Sequence, residues 1–200
     1  MSAGRAAYRA RVATILSDLG ITPERLAGRD LVLVPEARSL TPVGLGTDGR
    51  DKLLTPTAAR AWQALRTAAA DDGIELLLIS AFRSVEFQAA LLRAKLDRGM
   101  PLAEVLRVNA PPGYSEHHSG RAVDIGCAGT AALDEAFETT PAYAWLEAHA
   151  TEHRFTLSYP RGNRQGYLYE PWHWCHGRPQ QNDPLPSPTG RGAGGEGLSG

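Results

Sequence analysis

Apolar residues recur at helical spacing over the first twenty positions. Val12, Ile15, Leu16 and Leu19 share one face of MSAGRAAYRARVATILSDLG, which predicts an amphipathic helix ending near Gly20. TPERLAG offers one more turn, with Thr22 as cap and Pro23 at the first helical position. DLVLVPEARSL reads as a short buried strand leaving through Pro35. Residues 41–56, rich in Gly, Pro and Asp, read as a loop.

TAARAWQALRTAAADDG predicts a helix capped by Thr57, with Trp62, Leu65 and Ala69 on one face and Gly73 at its end. IELLLIS, 74–80, fits a buried strand. Ser84 caps the next helix, with Phe87, Leu91 and Ala94 turned inward. Residues 109–120 read as loop. RAVDIG alternates, placing Ala122 and Asp124 on one face and Val123 and Ile125 on the other. Thr140-Pro141 opens the helix AYAWLEAHATEH. RFTLSY and YLYEPWHW read as two strands of a hairpin joined by PRGNRQG. Trp62, Trp145, Tyr143, Tyr167 and Tyr169 are assigned mainly to packing.

From Asn182 onward the chain is Pro-, Gly- and Ser-rich with almost no large apolar residue, the composition of a disordered tail. The order of elements predicts an α+β fold, with a small, mostly antiparallel sheet and flanking helices. The division expected is an N-terminal helical segment over 1–30, a main domain over 31–180 and a tail over 181–200.

Composition narrows the function. The 200 residues are enough for one domain with a real core. With 21 Lys and Arg against 22 Asp and Glu, the net charge of −1 gives no sign of a nucleic-acid partner. No apolar run approaches the roughly 20 residues a membrane span requires. The N-terminus lacks the long apolar core of a secretory signal, which implies a cytoplasmic chain or an export signal outside this sequence. Cys127 and Cys175 are too few for a disulfide framework.

The chemistry concentrates in two places. GYSEHHSGRAVDIG, 113–126, holds His117 in a loop, Gly120 at a turn and Asp124 on the returning strand. Such a turn can bring an imidazole and a carboxylate to one ion. YEPWHW holds Glu170 and His173 three apart, and on a straight strand they would face opposite ways. Pro171 therefore bends the chain, so that His173 supplies a third ligand and Glu170 stands free beside a water. Hydrolytic zinc sites use three protein ligands and one open position, with a nearby carboxylate to take the proton.

These segments carry a resemblance. SEHHSGRAVD fits Ser-x-His-x-x-Gly-x-Ala-x-Asp, and EPWH fits Glu-x-x-His. Together with LVLV, GIELLLISAFRSVEFQ and LSYPRGNRQGYLYEPWHW in the same order, they resemble the VanY-type zinc D-alanyl-D-alanine carboxypeptidases. These are related to D-Ala-D-Ala dipeptidases and LD-carboxypeptidases. The likeness covers roughly residues 31–178.

The resemblance implies a Hedgehog/DD-peptidase-like fold with the zinc site at the sheet. It implies one Zn2+ held by His117, Asp124 and His173, with Glu170 as catalytic base. Arg83 would steady the developing oxyanion or clamp a carboxylate. Gln88 and Ser115 would contact the substrate's terminal residue, and Trp172 would wall the pocket. The implied partner is a peptidoglycan stem peptide or precursor, which points to a periplasmic or cell-wall site of action. The sequence departs from the family in Ala81-Phe82, where Gly-Tyr is usual, and in Cys175-His176-Gly177-Arg178, where Arg-Tyr-Val-Gly is usual.

Rival readings exist for several residues. An LD-carboxypeptidase would use the same metal set. A non-catalytic zinc module binding cell-wall peptide would have no use for Glu170. Cys127, Cys175 and His176 could form a soft-ligand site, or the cysteines a disulfide, although free thiols are the default. His118 is expected at the solvent or behind the ligands, and His149 and His153 on an exposed helix face.

Overall fold

The strongest strand signals of the chain assemble into one antiparallel sheet. In the computed structural model, which describes residues 3–177, its members are β3 (Leu77–Ser80), β4 (Ala122–Gly126), β5 (Phe155–Leu157) and β6 (His173–His176). The order is β3-β4-β6-β5, and every neighbouring pair is antiparallel. β4 is buried along its whole length, and it carries Val123 and Ile125 into the main core.

Helix α3 (Pro56–Asp71) supplies the largest share of that core. Ala58, Ala59, Trp62, Leu65 and Ala69 recur at helical spacing and are all buried. Helix α6 (Pro141–His149) closes the other side with Tyr143, Trp145 and Leu146. Full burial of a side chain the size of Leu65 or Leu146 contributes about 1.5–3 kcal/mol. A second apolar cluster joins helix α1 (Ala3–Asp18) to α4 (Val85–Asp97) and α5 (Leu102–Val108), through Val12 and Leu16 against Val85, Leu92 and Val105. A short helix, α2 (Pro23–Leu26), follows α1 with Thr22 at its cap position.

Five local expectations need correction. Residues 31–39 form no strand. They run as an extended segment, tied by Val34 N–H to Gly113 O and Ala37 N–H to His118 O, with Val32 exposed. Pro35 removes a donor there, and no partner strand lies alongside. The expected loop at 41–56 contains a hairpin instead, β1 (Thr41–Leu45) against β2 (Asp51–Leu54). Pro42 and Gly44 mask its alternation, while Asp48 accepts from Arg50 N–H to set the turn.

The cap of α3 is Thr55, ahead of Pro56, rather than Thr57. In α4 the inward face is Val85, Gln88 and Leu92, so Phe87 is left exposed. Ser84 does cap that helix, accepting from Phe87 N–H. The C-terminal hairpin pairs β5 with β6, but 167–172 stays irregular up to His173. The tail expected from 181 lies outside the described residues. Among those described, no helix is long and apolar enough to cross a membrane.

Candidate active site

The sheet register brings two of the candidate ligands together. Asp124 on β4 is directly opposite His173 on β6, and directly opposed residues project to the same face. Asp124 Oδ1 lies 2.9 Å from His173 Nδ1, and both residues are buried.

His117 arrives from a 3-10 turn over Glu116–Ser119. Gly120 ends this turn at φ 63°, and a Cβ there would come within 2.9 Å of Leu40 Cδ2. The reversal into β4 therefore favours glycine. His117 Nδ1 donates to the Ala81 carbonyl at 2.6 Å, just beyond β3. That bond leaves Nε2 as the ring's lone-pair nitrogen.

The donor set fits a cation. His117 Nε2 is buried, makes no hydrogen bond to any described residue and lies 3.2 Å from Asp124 Oδ2. A lone pair facing a carboxylate oxygen repels unless something positive sits between them. One ligand atom from each of His117, Asp124 and His173 falls within 4.8 Å of the others. Two imidazoles and a carboxylate are the donor types of an open, catalytic zinc site.

Glu170 is set by a β-turn. His173 N–H donates to Glu170 O at 3.0 Å, and Pro171 occupies the second position, where its fixed φ suits the turn. Glu170 N–H is also tied to Tyr159 O. One carboxylate oxygen of Glu170 comes to 3.9 Å from His173 Nδ1.

The electrostatics separate the groups. Burial drives His117 down to about 4, so it is neutral. Burial would raise Asp124, but the protonated His173 hydrogen-bonded to it outweighs this and holds it well below the carboxylate range. Burial also acts to lower His173, yet its bonds to Asp124 and Glu116 lift it to about 10. Burial pushes Glu170 up to about 7, against the pull of His173. A carboxyl poised near neutrality is suited to exchanging a proton.

Arg83 reaches the cluster through Nη2, 3.5 Å from Asp124 Oδ2. It lines a small chamber of about 40 Å3 together with Gln88, Ser115 and Tyr167. Gln88 donates from Nε2 to Ala110 O, while its Oε1 has no hydrogen-bond partner among the described residues. Trp172 lines the larger adjoining cavity and also packs on the main core.

His118 is fully buried rather than at the solvent. Its Nδ1 donates to Arg83 O at 2.7 Å, and its Nε2 accepts from Gly113 N–H at 3.0 Å. Both adjacent histidines thus grip carbonyls of the 81–83 segment. Among the described residues, only His117, Asp124 and His173 form a cluster suited to a metal. Cys127 and Cys175 form no disulfide and lie outside it, and His176 packs edge-on against Phe155. His149 stacks on Trp145 beside Glu152.

Sequence reasoning missed Glu116. Its Oε2 accepts from His173 Nε2 at 3.1 Å and from Ser158 Oγ at 2.6 Å. Tyr159 stacks on the same imidazole at 4.7 Å. A carboxylate beside a motif histidine was the available signal, because ligand histidines usually donate their second N–H to such a group.

Residues 51–178 match the family described as VanY: D-alanyl-D-alanine carboxypeptidase. YodJ of Bacillus subtilis (strain 168), a carboxypeptidase by name, is 33% identical over 120 residues, covering 58% of this chain and 43% of YodJ. The chain therefore spans less than half the length of that relative. The solved structure of the LdcB LD-carboxypeptidase is similar at 28% identity with a TM-score of 0.63, covering 70% of this chain and 69% of LdcB. A D,D-pentapeptidase VanY variant from a VanB-type resistance cassette, solved in complex with Zn(II), shares the fold. Its TM-score is 0.54 at 24% identity, covering 72% of this chain and 86% of that one.

Proposed function

The chain belongs to the VanY family of D-alanyl-D-alanine carboxypeptidases, and we propose that it hydrolyses the terminal peptide bond of peptidoglycan stem peptides in a zinc-dependent reaction. The observation that carries this reading is the convergence of His117, Asp124 and His173, with the Glu170 carboxylate 3.9 Å from His173 Nδ1. The solved VanY variant with Zn(II) supports the choice of metal.

His117, Asp124 and His173 would hold one zinc ion, whose chemistry when bound is to polarise a carbonyl and bring a water's pKa from 15.7 to about 7. Glu170 takes the proton of the attacking water and later delivers it to the leaving amine. Arg83 places its guanidinium charge where negative charge develops on the carbonyl oxygen. Ser115 and Gln88 orient the terminal residue in the small chamber, and Trp172 walls the cavity that adjoins it. A module that only binds peptide would gain nothing from Glu170, whose partly desolvated carboxyl is costly to keep ionised.

Similarity to LdcB favours a second reading, an LD-carboxypeptidase with the same metal set. One experiment tests both. The zinc-loaded protein is incubated with matched peptides ending in D-Ala-D-Ala or in L-centre-D-Ala, with and without chelator, and free D-Ala is measured. Chelator-sensitive release from the first peptide supports the DD reading, and release from the second alone supports the LD reading. Release from neither overturns the peptidase assignment.

A further inference from the structure

The cavity at the site has two compartments. The inner one, about 40 Å3, reaches His117, His173, Ser115 and Gln88. The outer one, about 440 Å3, reaches Lys95, Leu168 and Trp172. Arg83, Val108, Asn109 and Glu170 border both. Lys95 borders only the outer compartment.

Lys95 is half-buried on α4, and its Nζ donates to Asn109 Oδ1 at 3.1 Å. Asn109 is itself fixed, because its Nδ2 donates to Val105 O at 2.9 Å. The ammonium has three donors, and this neutral oxygen takes one. Among the described residues, no carboxylate comes within 4.0 Å of Nζ, the limit of an ion pair. Elsewhere in the chain Lys52 sits 2.8 Å from Asp48.

The carboxylates that border the outer compartment have other partners. Asp134 accepts from Ala136 N–H, and Glu135 pairs with Arg161. Asp124 and Glu170 belong to the metal cluster and its turn. Burial, with the positive charges of Arg98 and Arg83, lowers the Lys95 ammonium below its ordinary pKa, and the more distant Glu170 offsets this only in part.

We propose that Lys95, held by Asn109, is a subsite for a carboxylate carried by the substrate peptide upstream of the scissile bond. This rests on the peptidase reading above. His117 and His173 face the inner compartment and Asp124 the outer one, so the cluster lies where the two meet, and the inner compartment is about a tenth the size of the outer. Only a small terminal residue suits that chamber, with its carboxylate near Ser115 and Gln88. The rest of the peptide must leave through the outer compartment, advancing about 3.3–3.6 Å per extended residue. A free carboxylate one or two residues before the cut then meets the two unused donors of Lys95. The substrate class is an acidic stem peptide, not a neutral one.

The test uses two peptides identical except for one group: a free carboxylate upstream of the terminal D-Ala-D-Ala, or its amide. The readout is the ratio of their kcat/KM values with the zinc-loaded full chain. The wild type should favour the acid by about 5- to 30-fold, the range of a partly exposed charge-assisted hydrogen bond. Lys95→Met should bring the ratio near one, and Lys95→Arg should keep most of it. A wild-type ratio near one overturns the proposal. So does a ratio that survives Lys95→Met, including the case where both rates fall together because Lys95 serves the terminal carboxylate.

Should the wild type cleave neither peptide, the DD reading fails by itself, and the pair is remade on the L-centre-D-Ala peptide. The same acid-to-amide ratio is then read as Kd by calorimetry on the zinc-loaded protein. A ratio near one, or one indifferent to Lys95→Met, again overturns the subsite.

Discussion

Asp124 and His173 are partners in the register of β4 and β6, and the carboxylate of one lies 2.9 Å from Nδ1 of the other. Two of three candidate ligands are therefore placed by backbone hydrogen bonding in the most buried part of the sheet. The third, His117, is held by the carbonyl of Ala81 at the end of the neighbouring strand. A site built this way is preorganised before any ion arrives, which limits the ordering cost of binding.

Glu170→Ala should keep zinc and lose activity. The residue stands beside the ligands without belonging to the cluster of three. A positioned acid–base group contributes roughly 10²–10⁴-fold, so kcat should fall by that factor while metal content stays at the wild-type level. Hydrolysis at the wild-type rate would show that Glu170 does not handle the proton.

Glu116→Ala should weaken zinc binding by about 10- to 100-fold, the usual effect of losing the group behind a ligand histidine. Glu116→Gln should do less harm, since its amide oxygen can still accept from His173 Nε2. Competition with a chromophoric chelator measures both. Unchanged affinity in the alanine variant would reduce the Glu116–Ser158 contact to surface packing.

The metal-free protein should carry a pH signature of Glu170. Burial raises its pKa from 4.5 to about 7. Its folded value lies above its unfolded one, so its contribution is fully present below pH 4.5 and is lost as pH rises through about 7. Glu170→Gln removes that loss. The metal-free variant should be more stable than the wild type by about 1–3 kcal/mol at pH 8, and by much less at pH 4.5. Urea unfolding at the two pH values decides, and a difference independent of pH contradicts the burial argument.

Gly120→Ala should destabilise the fold by about 1–3 kcal/mol. It forces a side chain into left-handed backbone and against Leu40 and Ala37. Thermal unfolding of the metal-free protein reads the loss directly. A variant as stable as the wild type would mean the turn can relax without cost.

Much of this was legible from residue order. The alternation in RAVDIG put Asp124 on the face away from Val123 and Ile125, and those two residues do enter the core. Pro171 forecast a bend, and the turn from Glu170 to His173 is that bend. What escaped was set by tertiary partners. LVLVP has strand composition, but no strand lies beside it, and Val34 is tied instead to Gly113 O and to the Tyr8 hydroxyl. Phe87 looked like core, yet the helix face that meets α1 is one position away. Glu116 and His118 occupy unspecified places in the motif. Their roles depend on Ser158, Arg83 and Gly113, which sequence spacing alone could not connect to them.

The turn at Glu170 has a mechanical consequence. The proposed base, Glu170, and the candidate ligand His173 are the first and last residues of one four-residue unit, so their backbone spacing is set by the turn itself. Breathing of the surrounding sheet would carry the two as a single piece. An engineer wishing to move the Glu170 carboxylate without moving His173 would have to begin at Pro171.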